Sequence, residues 1–143
     1  MIDQGVPFKS YVGLDISENN IRYLKECFPS RAVDFVHGDA EFVALDRTFD
    51  TVLSSLTLKH LFPTFEAALS NIAKYVNRGG LFLFDLREGE SKYIERRLRS
   101  SLKCYTRSEI LEILSRLSLE HVAFDEVKHT PDTSRLLVVA RKS

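Results

Sequence analysis

Cysteine is scarce in this 143-residue sequence, which contains only Cys27 and Cys104. The two residues lie far apart along the chain, and neither has a second cysteine beside it. This spacing excludes the paired thiols of a zinc knuckle or a redox motif and predicts two buried, reduced thiols. No metal site is predicted elsewhere in the sequence.

An excess of charge of either sign is also lacking, since 20 Lys and Arg residues balance 20 Asp and Glu residues. A chain without net charge has no general attraction to nucleic-acid backbones or anionic lipids. The most charged segment, residues 87–103, mixes arginines with glutamates. We therefore expect it to be partly helical with a solvated face, and we predict no nucleic-acid partner.

Long hydrophobic runs are absent as well. No apolar segment approaches the roughly 20 residues of a membrane span, and the first residues lack the basic and apolar regions of a signal peptide. The 44% hydrophobic content is enough for one core. The sequence thus predicts a soluble, cytoplasmic protein that forms a single domain over residues 1–143.

Short apolar runs alternate with amphipathic stretches along the chain, which predicts an α/β fold. The expected strands are residues 11–16, 32–37, 50–55 and 81–86, followed by late strands at 121–128 and 135–140. The four early strands are apolar enough to be buried in a parallel sheet. A turn at residues 130–133 joins the two late strands, which predicts an antiparallel hairpin added to that sheet.

Three helices are expected between these strands. Ser17 is placed as the N-cap of the first helix. The second helix has a continuous apolar stripe over residues 65–76, and Gly79 with Gly80 is expected to stop it. Thr106 and Glu109 have the spacing of a capping box at the start of the third helix.

Acidic residues follow two of the expected parallel strands, at the sheet edge where open α/β folds bind ligands. The two oxygens of Asp15 could accept both hydroxyls of a ribose. Asp39 could accept from an exocyclic amine, while the backbone N–H of Ala40 donates to a ring nitrogen. The structural alternatives are that Asp15 begins the turn into the helix and that Gly38-Asp39 is a turn dipeptide. The two acids together, after successive strands, favour a ligand.

The same segments resemble the class I S-adenosylmethionine-dependent methyltransferases, in particular the type 11 and type 12 small-molecule branch. The resemblance implies a Rossmann-like, doubly wound, mostly parallel sheet and S-adenosyl-L-methionine as cofactor. It implies cofactor contacts at Asp15, Ile16, Asp39, Ala40 and Ser55. The matching segments are residues 12–17 (VGLDIS), 35–41 (FVHGDAE), 49–55 (FDTVLSS), 58–61 (LKHL) and 77–81 (NRGGL).

His60 is the histidine nearest to the implied pocket. It could contact the acceptor substrate or act as a base, and the alternative is a histidine at a helix start that packs on the sheet. Lys59 stands where many family members have another histidine. The catalytic residues are therefore left unassigned.

The sequence departs from the family pattern at its start. Members begin with a strand and a Gly-x-Gly-x-Gly loop, whereas no two of the six glycines here are separated by one residue. We expect an N-terminally truncated domain that starts just before the family's second strand. The second and fourth strands would then pair directly, or a homodimer or partner chain would complete the sheet, or the chain is a fragment.

Three functions remain at this stage. The first is a methyltransferase-like protein that acts on a small-molecule acceptor, in an active form or in an incomplete and inactive one. The second is a non-catalytic module that keeps the methyltransferase fold for binding or dimerisation. The third is an α/β nucleotide-binding domain unrelated to methyl transfer.

Overall fold

A computed structural model describes residues 7–90, 93–95, 101–130 and 133–143. The chain divides into two compact units, Met1–Val43 and Ala44–Ser143. No described helix is long and apolar enough to cross a membrane. The expectation of a single domain over the whole chain stays a prediction.

The first unit has a β-α-β arrangement. It contains β1 (Tyr11–Asp15), α1 (Glu18–Cys27) and β2 (Val33–His37). The strands pair in parallel, with Tyr11 opposite Val33 and Asp15 opposite His37. Ser17 caps α1 as expected, because its side chain accepts from the backbone N–H of Asn20. The buried hydrophobic side chains among this unit's described residues are Ile21 and Phe35.

Close packing of β1 on β2 depends on a glycine. A Cβ atom at Gly13 would lie 2.6 Å from Cδ1 of Phe35, closer than packing permits.

Cys27, at the end of α1, is exposed, so the prediction of a buried thiol is wrong there, whereas Cys104 is buried as predicted.

The second unit is built around one long strand, β4. Its elements are β3 (Phe49–Ser54), a 3₁₀ turn (Leu58–His60), α2 (Phe65–Ala73), β4 (Val76–Gly89), β5 (Tyr93–Glu95), β6 (Ser101–Tyr105), α3 (Arg107–Arg116), β7 (Leu119–Thr130) and β8 (Thr133–Lys142). β4 pairs in parallel with β3 and β6 and antiparallel with β8. β7 forms the expected hairpin with β8, and β5 pairs antiparallel with β6.

The core of the second unit lies on one face of this sheet. Phe82, Phe84 and Leu86 alternate along β4 with at most 1% of their surface exposed. Phe65 of α2 contacts this face, with its ring centroid 6.3 Å from that of Phe84. Buried partners on β8, α2 and α3 are Leu136, Val138, Ala140, Ala68, Leu69, Ile110 and Leu114.

Two boundaries differ from the sequence-based expectations. α2 ends at Ala73, and Val76 is the first residue of β4, opposite Phe49. Gly79 has the expected positive φ of 76°, but it lies within β4 instead of capping a helix. The apolar stripe expected for the second helix included Val76, because a buried strand residue looks the same as a buried helix residue in the sequence.

The charged segment 87–103 also differs from the sequence-based expectation. The expected partial helix is wrong for its described residues, because none of them is helical and all except Glu90 belong to the end of β4, to β5 or to β6. The third helix is confirmed, since Thr106 and Glu109 form the complete capping box at the start of α3.

Candidate functional site

The carboxyl edge of the first unit's sheet brings two predicted residues together. Asp15 is the last residue of β1 and lies opposite His37, the last residue of β2. Asp39 follows two residues after His37. The backbone N–H of Gly38 donates to the Asp15 carbonyl at 3.0 Å, so pairing continues to this edge. Both acids therefore lie where two parallel strands end.

The carboxylate of Asp15 is held by two local donors. Its Oδ1 accepts from the backbone N–H of Ser17 at 2.7 Å, and its Oδ2 accepts from Nδ2 of Asn20 at 3.1 Å. The first bond is the helix-turn role named as the alternative above. A carboxylate has about four lone-pair sites, so these two bonds leave about two for a ligand. The structural role and a binding role are thus compatible.

Ile16 and His37 flank Asp15. The side chain of Ile16 is 68% exposed, which is unusual for a large aliphatic group. Nε2 of His37 lies 3.0 Å from the carbonyl oxygen of Ile16. Sequence reasoning assigned His37 no role, and only the parallel pairing of β1 with β2 brings it to this edge.

Asp39 organises the turn after β2. Its Oδ1 accepts from the backbone N–H of Glu41 at 2.9 Å, and its carbonyl accepts from the N–H groups of Phe42 and Val43. The turn alternative for Gly38-Asp39 is therefore present. Ala40 is half-buried within this turn. Its predicted role as a backbone donor to a ligand stays a prediction.

In the second unit, Ser55 follows β3 and belongs to a polar cluster with Asp85 and Arg135. Oγ of Ser55 accepts from Nη2 of Arg135 at 3.1 Å. Nε of Arg135 donates to Oδ2 of Asp85 at 2.9 Å. Oδ1 of Asp85 accepts from the backbone N–H of Leu56 at 2.5 Å. We name these residues, Ser55, Leu56, Asp85 and Arg135, the Arg135 cluster.

His60 ends the 3₁₀ turn of the second unit. Its side chain is exposed, and its backbone N–H donates to the Thr57 carbonyl at 3.0 Å. Lys59 beside it is half-buried. The exposure of His60 does not match the packed histidine of the alternative, and its role toward an acceptor stays a prediction.

Other candidate sites in the described part of the chain are weak. No group of three or more His, Cys, Asp or Glu residues there could hold a metal ion. A shallow depression of about 340 Å³ between α3 and β7 is lined by Leu111, Leu114, Ser115, Ser118, Leu119, Glu120, His121 and Ser143. None of the predicted site residues lines this depression.

Comparison with known proteins identifies the family. The family described as "Methyltransferase domain" matches residues 2–84, which is more than half of the chain. A fatty-acid O-methyltransferase from Mycolicibacterium smegmatis is 33% identical over 76 residues, covering 52% of this chain and 27% of that protein. A phthiotriol/phenolphthiotriol dimycocerosates methyltransferase from Mycobacterium tuberculosis is 36% identical over 80 residues, covering 54% and 29%. The matched segments thus span less than a third of each relative.

A solved structure supports the fold along most of the chain. The 1,6-didemethyltoxoflavin-N1-methyltransferase of Burkholderia thailandensis, solved with S-adenosylhomocysteine, aligns with a TM-score of 0.77 at 20% identity. The alignment covers 92% of this chain and 60% of that protein. The expected Rossmann-like α/β fold with a parallel sheet and antiparallel late strands is confirmed. The chain belongs to the family of methyltransferase domains.

Proposed function

We propose that this chain is an S-adenosylmethionine-dependent methyltransferase domain that acts on a small-molecule acceptor. The observation that carries the proposal is the pair of carboxylates, Asp15 and Asp39, at one edge of two parallel strands. Ligands of open α/β sheets bind at this edge. Membership of the family and the small-molecule acceptors in the names of its relatives support the same function.

The residues present fit the cofactor at this edge. The remaining lone pairs of Asp15 match the two hydroxyls of a ribose, and Oδ2 of Asp39 offers an acceptor for the adenine amine. The exposed side chain of Ile16 offers an apolar surface to the adenine ring. We further propose that Ala40 contacts the ring through its backbone and that Ser55 contacts the methionine part.

The bound cofactor supplies a methyl group on a sulfonium. The chain itself contributes position, because placing the acceptor nucleophile in line with that methyl group is the main requirement of the transfer. We propose that the exposed His60 contacts the acceptor and takes the proton that the nucleophile loses. The sequence holds no Gly-x-Gly pair to bring its backbone close to the cofactor, so we expect weak cofactor affinity.

Calorimetric titration with S-adenosylhomocysteine tests this proposal. We expect saturable binding that Asp15→Asn and Asp39→Asn each weaken by about 1–3 kcal/mol, because each removes a charged acceptor. Asp34→Asn is the matched control. Asp34 is exposed on β2, away from the carboxyl edge, and bonds only to the next backbone N–H in the described contacts. Equal losses in all three variants would contradict the proposed site.

A second candidate function is a non-catalytic module that uses the fold for dimerisation. In the described residues, β1 pairs with β2 and β3 pairs with β4, so each of β1 and β3 has one edge without a ladder partner. Leu53 on β3 is 46% exposed. Unpaired edges of this kind promote pairing with another chain.

Light scattering separates the two functions. Dimerisation predicts a doubled mass that Leu53→Lys lowers to that of one chain, together with no binding of S-adenosylhomocysteine at millimolar concentration. A single-chain mass together with saturable binding would contradict the dimerisation module.

A further inference from the structure

Asp85 is a buried carboxylate that the proposed cofactor site does not use. Only 1% of its side chain is exposed, and it lies on β4 between the core residues Phe84 and Leu86. A buried charge is costly unless it is paired and hydrogen-bonded. Leu56 and Arg135 supply these bonds, from the segment after β3 and from β8. The buried carboxylate of Asp85 thus holds the side chain of Arg135 in place.

The guanidinium of Arg135 retains donors for a further acceptor. Of its five N–H groups, one on Nε bonds to Asp85 and one on Nη2 bonds to Ser55. No hydrogen bond from Nη1 is found among the described contacts. The side chain is 46% exposed, so a ligand can reach it. A held guanidinium with a second N–H edge suits the two oxygens of a carboxylate.

A second arginine increases the positive charge on this face. Arg87 on β4 lies directly opposite Arg135 in the antiparallel ladder. Directly opposed side chains share one face of a sheet, and like charges in that position repel. A second arginine thus lies beside the Arg135 cluster on this face of the sheet.

The chain around Ser55 also exposes two leucines. Leu53 and Leu56, on either side of Ser55, are 46% and 52% exposed. Leu56 has a φ of 61°, a left-handed conformation that costs a residue with a Cβ about 1–3 kcal/mol and is enriched at ligand sites. Its bond to Asp85 stabilises this conformation. The exposed leucines suit an aliphatic group next to the anion.

We propose that the Arg135 cluster binds the carboxylate of an acceptor molecule that has an aliphatic body. This inference rests on the proposed function, because it names the acceptor class of the same domain. The cofactor also has a carboxylate, on its methionine part. Both ligands therefore have to be titrated separately.

Calorimetry with octanoate as the probe tests the proposal, with octanol as the uncharged comparison. We expect the unmodified chain to bind octanoate more tightly than octanol, and Arg135→Gln to weaken octanoate binding by about tenfold or more. Arg141→Gln is the matched control, since Arg141 is exposed six residues further along β8 on the same face. It is expected to bind octanoate as the unmodified chain does.

Three results would overturn the proposal. The first is equal affinity of Arg135→Gln and Arg141→Gln for octanoate, and the second is no octanoate binding by the unmodified chain. The third is a loss of S-adenosylhomocysteine binding in Arg135→Gln with octanoate binding unchanged, which would assign the cluster to the cofactor. Arg135→Lys keeps the positive charge but loses the paired N–H groups of the guanidinium. It replaces Arg135→Gln if thermal unfolding shows that Arg135→Gln does not fold.

The titrations also separate this proposal from the proposed function. Octanoate is titrated first without cofactor. Octanoate binding that depends on Arg135, with no S-adenosylhomocysteine binding, would contradict the methyltransferase function and support the carboxylate site. Cofactor binding with no dependence of octanoate binding on Arg135 would contradict the carboxylate site alone.

Discussion

The two units hold their carboxylates in opposite ways. In the first unit, Asp15 and Asp39 are half-buried and bond to donors two to five residues away in the sequence. In the second unit, Asp85 is buried and bonds to donors 29 and 50 residues away, while Arg135 reaches Ser55 over 80 residues. Local bonds leave a carboxylate available to a ligand, whereas long-range bonds use it to fix another group.

The largest expected effect concerns the core of the second unit. Phe84 is fully buried and its ring lies 5.3 Å from that of Phe82, so Phe84→Ala is expected to cost about 3–5 kcal/mol of unfolding free energy. Urea unfolding measures this loss.

Phe35→Ala is the matched change in the first unit, where Phe35 is 4% exposed. We expect it to increase amide hydrogen exchange in β1 and β2 and to leave β4 and β8 protected. Equal loss of protection in both units would contradict the division into two compact units.

Removing the two kinds of carboxylate is the next test. Asp85→Ala is expected to cost about 2–3 kcal/mol, because it leaves the Leu56 N–H and the Arg135 guanidinium without their buried partner. Asp15→Ala is expected to cost less than about 1 kcal/mol, since its Asn20 donor is exposed and its Ser17 donor is only partly buried, so that both can bond to water. Similar losses of unfolding free energy for the two variants, measured by urea unfolding, would contradict the expected difference between the buried Asp85 and the half-buried Asp15.

Helix caps are local in both units, so their expected contributions to stability differ only through the bonds that each cap makes. Thr106→Ala removes the side-chain half of the capping box, while the backbone N–H of residue 106 can still donate to Glu109, and is expected to cost about 1–2 kcal/mol. Ser17→Ala removes one bond of 3.3 Å and is expected to cost about 0.5–1 kcal/mol. Thermal unfolding of both variants measures the difference, and a larger loss for Ser17→Ala would count against this order.

The smallest expected effect appears at alkaline pH. Burial, together with the negative charges of Glu66 and Glu109, raises the pKa of Tyr105 well above its usual value of 10.0. The unfolded chain then loses the tyrosine proton at a lower pH than the folded chain does. Stability from this group is complete below pH 10 and decreases as the pH rises further.

Tyr105→Phe is therefore expected to make the unfolding free energy less dependent on pH above 10. Tyr23→Phe is the comparison in the first unit, where the pKa of the exposed Tyr23 is raised mainly by a hydrogen bond with Cys27. The same alkaline slope in Tyr105→Phe and in the unmodified chain would argue against burial as the cause.

Local signals made much of the fold predictable from the sequence. The Ser17 cap, the Thr106–Glu109 capping box and the late hairpin depend on residues close together in the chain. The positions of Asp15 and Asp39 at one edge also follow from their places after two parallel strands.

What the sequence could not predict depends on long-range pairing. Arg135 meets Asp85 and Ser55 only because β8 pairs with β4 and β3 pairs with β4. The charged segment 87–103 looked helical because its mixed charges resemble a solvated helix face, whereas its residues 93–95 pair with residues 101–103 as short strands. An acid within an apolar run, as at Asp85, is the one sequence signal that could have indicated a buried ion pair.

Amide chemical shifts during titration with S-adenosylhomocysteine test the central claim most directly. We predict that the largest changes occur at residues 15–17 and 39–41, with a further change at Ser55, and that Asp15→Asn reduces them. Changes confined to other residues, such as those lining the depression between α3 and β7, or no changes at millimolar ligand, would contradict a cofactor site at the carboxyl edge of β1 and β2.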